Sequence, residues 1–281
     1  MKETELKALV SLLDDEDNQV ISHVEQKIIS LGEAIIPYLE SAWEESLDPT
    51  LQIRIEDLIH TLQYEQLRSR LNKWSEDENP DLLEGMWLVA TYQYPDLELN
   101  KLRQELEQLY YEAWLEFKPD AHPFDQVKIL NGVIYSKLRF GANTKNFHSP
   151  GNSMINVVLQ TRKGNPISLC VIYMLIAQRL KMPVFGVNLP NLFILTYKDE
   201  SHKQFYINAF NRGLIFSRED IDNYIGELRL TPQETYYQPC STMDIVKRSF
   251  RNLINSFEKI GDHAKAEEVK TLLKTISSPG E

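Results

Sequence analysis

The chain has 281 residues, 42% of them apolar and 25% charged, which excludes a disordered tail or a fibre. Acids outnumber bases 41 to 30, a net charge of −11, so a general nucleic-acid binder with a basic face is excluded as well. The longest unbroken apolar run, Leu169 to Ala177, is nine residues and too short to cross a bilayer, so no membrane association is expected. The opening MKETELK is charged and lacks a signal-peptide pattern. Cys170 and Cys240 make no disulfide framework, and a cytoplasmic location is expected.

In chain order, Leu6, Leu9, Val10 and Leu13 keep helical spacing until the acidic turn Asp14–Asp17. Val20, Val24, Ile28 and Leu31 follow, with Gly32 placed as a C-terminal cap. A third run carries Ile35, Ile36, Tyr38 and Leu39. A shift of 31 residues lays the second run on Leu51, Ile55, Ile59 and Leu62, and Asp17 on Asp48. This weak repeat resembles HEAT-type helical hairpins. Such hairpins cannot bury an apolar face alone, so residues 1–75 are expected to dock on the rest of the chain. Charge agrees: residues 1–117 carry 26 acids and 9 bases, a net of −17, while 118–281 carry +6. Packing of the two halves accounts for this asymmetry; recruitment of a basic partner by the acidic half is the other reading.

SEDENPD, residues 75–81, reads as a linker. Beyond it Leu82, Leu83, Met86 and Val89 begin a helix, and residues 97–117 form a long one with Leu102, Leu106, Leu109, Ala113 and Phe117 on one stripe. A further helix, about 123–139, carries Val127, Leu130, Ile134 and Leu138. The loop 141–151 precedes a short helix with Asn152 or Ser153 as its cap. Asn165–Pro166 reads as N-cap and first residue of a second helix, whose body from Ile167 to Leu180 is apolar nearly all round and must be buried. Strand-like runs follow at 184–189, 193–197 and 205–207, the last two joined through the polar stretch 198–203. A buried helix followed by antiparallel strands is an α+β pattern.

The segments LLEGMWLVA (82–90), GNSMINVVLQTRKGNPISLCVIYMLIAQRLKMPVFGVNLPNLFIL (151–195) and YINAFNRG (206–213) resemble the SirB-type transglutaminase-like family. The resemblance spans about residues 80–240. It implies a papain-like core of a buried helix against an antiparallel sheet. The chain then divides into a helical, HEAT-like extension at 1–75, a transglutaminase-like domain at 76–240 and a C-terminal helical hairpin at 241–281. In active relatives the core carries a Cys–His–Asp triad. By the resemblance, the three columns fall here on Pro166, Leu192 and Asn208. Proline and leucine can neither attack nor accept a proton, and an asparagine has no imidazole to orient.

Two functions remain open. One is a non-catalytic interaction or regulatory module for a protein or peptide, with a groove near Leu192 lined by Asn152, Asn165, Ser168, Asn191 and Asn211. The other is a thiol-dependent amide hydrolase or acyltransferase using Cys170, one turn inside the helix, with a non-standard base such as His148. The six histidines show no zinc-site spacing, and there is no Walker loop or dinucleotide fingerprint. No metal or cofactor is expected.

Overall fold

Period-3.6 apolar stripes build the N-terminal part of the computed structural model, which describes residues 3–201 and 203–277. The chain divides into two compact units, residues 1–73 and 74–281. His202 and residues 278–281 lie outside the described residues.

In the first unit the helices are α1 (Glu3–Ser11), α2 (Asn18–Leu31), α3 (Ile36–Glu45) and α4 (Pro49–Ser75). Asp17 caps α2 by accepting the Gln19 N–H, and Gly32 closes it at φ +67°. The stripes converge on one cluster built around Leu13, Ile28, Ile35, Leu39 and Ile55, all fully buried. Arg54 of α4 donates to the Leu13 carbonyl at 2.6 Å, satisfying a backbone oxygen where the chain turns.

The division between the units falls inside the last turn of α4. Of residues 75–81, read from sequence as a linker, Ser75 ends α4 and 76–81 are an ordered turn: Trp74 Nε1 donates to the Asp81 carbonyl at 3.0 Å, and the Asp81 side chain caps the next helix. That helix is α5 (Leu82–Thr91), followed by α6 (Leu99–Glu116) and α7 (Pro123–Asn131). The helix expected over 123–139 changes character midway, since residues 132–137 are π-helical. The short strands β1 (Gly141–Ala142) and β2 (Lys163–Gly164) pair in parallel around α8 (Ile155–Thr161).

The cap expected for α8 at Asn152 or Ser153 is not used. Both residues sit in a 3₁₀ turn, and Met154, without a side-chain bond, holds the cap position. Asn152 is drawn instead to the loop carbonyls before it, and Ser153 to Asn165.

The centre of the second unit is α9 (Pro166–Arg179), lying against β3 (Val184–Leu189) and β4 (Leu192–Lys198). The strands β5 (Gln204–Asn208) and β6 (Leu214–Phe216) complete an antiparallel meander in the order β3-β4-β5-β6. Leu189 and Leu192 pair across the two-residue turn Pro190–Asn191, with Asn191 at φ +58°. Proline followed by a residue tolerant of positive φ suits such a turn. Next come α10 (Arg218–Glu227) and the terminal pair α11 (Thr242–Ile260) and α12 (His263–Thr275), joined at Gly261 with φ +82°. α11 packs on α5, α9 and β3. The fold is α+β, with a buried helix on an antiparallel sheet. Among the described residues no helix is long and apolar enough to cross a membrane.

Candidate functional site

α9 begins where it does because Asn165 and Ser168 cap it reciprocally. Asn165 Oδ1 accepts the Ser168 N–H at 2.9 Å, and Ser168 Oγ accepts the Asn165 N–H at 3.1 Å. Asn165 Nδ2 also donates to Ser153 Oγ at 3.0 Å. Ser168 is thereby buried in the cap, while Asn165 and Pro166 form the floor of a cleft of about 220 Å³.

Three other elements wall this cleft. The loop after β1 brings Phe147 and His148. Asn152 holds that loop in shape: its Nδ2 donates to the carbonyls of Asn146 and Phe147 at 2.8 and 2.9 Å, and its Oδ1 accepts from Asn143. The β3–β4 turn brings Asn191 and Phe193, and Tyr224 pins that turn by donating to the Pro190 carbonyl at 2.9 Å. From α11 come Arg248, Asn252, Asn255 and Ser256, one polar face at helical spacing. Of the residues expected at a groove, Asn165 and Asn191 line the cleft. Asn152 and Ser168 support it from behind.

Asn208 and Asn211 lie elsewhere. Asn208 ends β5 and its Oδ1 accepts the Asn211 N–H at 3.0 Å, capping the short turn 209–211. Asn211 is exposed on that turn. Leu192 does not line the cleft either. It packs with Val187, Leu189 and Ile194 and with Ile221 and Ile225 of α10. Its neighbour Phe193 lies on the opposite face of the sheet: a Cβ on Gly186 would meet the Phe193 ring at 2.6 Å and Ile245 of α11 at 3.3 Å. Side chains alternate along a strand, so position 192 is turned away from α9.

Cys170 is fully buried, one turn inside α9. Its Sγ donates to the Phe193 carbonyl at 3.6 Å. Burial pushes the thiol well above its ordinary value, because a thiolate would be stranded in apolar surroundings. His148 is exposed on the cleft wall, whereas Cys170 is absent from its lining. The structure therefore does not bring these two together. Among the described residues no group of three or more His, Cys, Asp or Glu side chains is placed to hold a metal ion.

The residues missed from sequence are those of α11. Their spacing, 248, 252, 255 and 256, marks one helix face; only the packing of α11 against α9 says what that face meets.

The family profile described as "transglutaminase-like superfamily" matches residues 100–251. A UPF0162 protein of Xylella fastidiosa (strain Temecula1) is 35% identical over 122 residues, 43% of each chain. A UPF0162 protein of Vibrio cholerae is 26% identical over 156 residues, 55% of this chain and 57% of the relative. Human F-box only protein 21 is 30% identical over 105 residues, 35% of this chain and 17% of the relative. The match thus spans less than half of the Xylella relative's length. No solved structure matches. The match over residues 100–251 takes in α9, the sheet and the first half of α11 with Arg248, and on it the chain belongs to the transglutaminase-like superfamily.

Proposed function

We propose that this chain is a SirB-type, non-catalytic member of the superfamily, a binding module whose cleft at the start of α9 holds a protein or peptide segment without cutting it. The SirB-type reading rests on the ordered segments 82–90, 151–195 and 206–213. The observation that carries the non-catalytic reading is Pro166 at the head of α9, where active relatives present their nucleophile. Cys170, one turn further in, is sealed from solvent and held neutral by burial. Leu192 and Asn208 supply no proton acceptor, and loss of such partners costs orders of magnitude in rate. The free thiols of Cys170 and Cys240 suit a reducing, cytoplasmic setting.

The test is a panel of peptide and ester amides incubated with wild type and Cys170→Ala. The expected result is no turnover by either protein. Turnover by wild type that Cys170→Ala abolishes would establish a thiol hydrolase and overturn the reading.

A further inference from the structure

Arg248 sits half-buried in the cleft wall, and its one described partner is neutral: Nη1 donates to Asn188 Oδ1 at 3.0 Å. Among the described residues no carboxylate lines the cleft. The exposed arginines of this unit include two with acids beside them: Arg179 pairs with Glu107, and Arg218 with Glu234 at 3.1 Å. Burial, then the like charge of Arg251, push the Arg248 guanidinium down from its ordinary value, with Tyr224 acting the other way. A planar guanidinium with free N–H groups matches a carboxylate in geometry as well as charge.

We propose that the cleft is a carboxylate-binding site anchored by Arg248, and that its ligand is an acidic residue of a peptide. This rests on the binding-module reading above and supplies its ligand class. Asn191, Asn252 and Asn255 offer amide donors and acceptors to a peptide main chain, while Phe147 and Phe193 give apolar walls. The volume of about 220 Å³ fits one seated residue with its flanking peptide groups rather than a large cofactor. The carboxylate could belong to an Asp or Glu side chain or to a chain terminus, and both present the same fork to Arg248.

The experiment titrates the full chain with arrayed pentapeptides, read by fluorescence anisotropy. One set carries a central Glu with both ends blocked, a second a central Gln with both ends blocked, and a third a central Gln with a free C-terminal carboxylate. Binding by the first or third set, but not the second, is expected, and which of the two binds identifies the source of the carboxylate. Arg248→Gln should weaken that binding about 10- to 100-fold, the usual effect of removing a charged hydrogen bond. Arg248→Lys should recover part of it. The Glu–Gln comparison on wild type needs no variant, so it stands even if a variant folds poorly. Equal binding of Glu and Gln peptides, no binding by any set, or competition only by inorganic phosphate would overturn the proposal. Equal binding would leave the binding-module reading intact; Cys170-dependent cleavage of the peptides would instead overturn that reading.

Discussion

Cys170 shows how burial alone can remove chemistry from a residue type. A free thiol ionises near pH ~8.5, but here the folded chain holds it neutral above that. A group whose folded value is raised stabilises the fold below its unfolded value, and that contribution is lost as pH rises. Each such group makes stability fall by about 1.4 kcal/mol per pH unit once the unfolded chain ionises and the folded chain does not. Cys240, pushed up to about 12 chiefly by burial, acts in the same direction. Urea unfolding at pH 8 and pH 10 should show wild type losing stability more steeply than Cys170→Ser, which keeps a hydroxyl donor to the Phe193 carbonyl and cannot ionise there. Identical slopes would mean the thiol is not sealed. At neutral pH, iodoacetamide should label Cys170 only after denaturation, as mass spectrometry of the modified peptides would show. At the mouth of α9, Asn165→Ala removes a helix cap, worth about 1–2 kcal/mol, and leaves buried Ser153 without its donor. Asn165→Asp keeps the cap acceptor, and its urea midpoint should fall between those of wild type and the alanine variant.

Elements meet here with little tolerance, and Gly85 in α5 is the clearest case. A Cβ at this position would lie 2.5 Å from the Trp74 ring and 2.6 Å from Val246 of α11. Alanine favours a helix over glycine by about 1 kcal/mol, but overpacking a core costs about 1–3 kcal/mol. The Trp74 indole is tied by its N–H to the Asp81 carbonyl and cannot readily swing aside. Gly85→Ala should therefore lower the urea midpoint; an unchanged or raised midpoint would show that the α5–α11 contact can open. The same elements set the site. A one-residue difference along β4 separates Phe193, facing α9 and α11, from Leu192, facing α10. The identity of a side chain at 192 was readable in sequence. Its direction depends on strand register, fixed by the two-residue turn at Pro190–Asn191.

At the scale of the molecule the first unit has its own core, in which Leu39 is fully buried. Leu39→Ala should destabilise that unit by about 2–5 kcal/mol, as large-to-small core changes do. Amide hydrogen exchange within residues 3–73 is the readout, and unchanged protection there would contradict the packing. In the second unit, α9 is surrounded by α6, α8, α11 and the sheet. A helix enclosed in this way must be apolar on every side, which is what its sequence displays.

Local chemistry determined much of this protein from sequence alone. The Asn165–Pro166 start of α9, the Gly32 cap, the apolar stripes of the helical unit and the α+β order of elements all follow from side-chain preferences over a few residues. Weak or short signals were lost: β6 spans only three residues, and α10 buries little besides Ile221 and Ile225. The α8 cap went to Met154 because distant partners claimed Asn152 and Ser153. What only the tertiary structure decided is the cleft. Its walls come from positions 147, 166, 191 and 248, and no local rule links residues so far apart in the chain. Chain folding places an arginine of α11 beside the head of α9, and burial, which is a property of the whole packed unit, sets the surroundings of its charge.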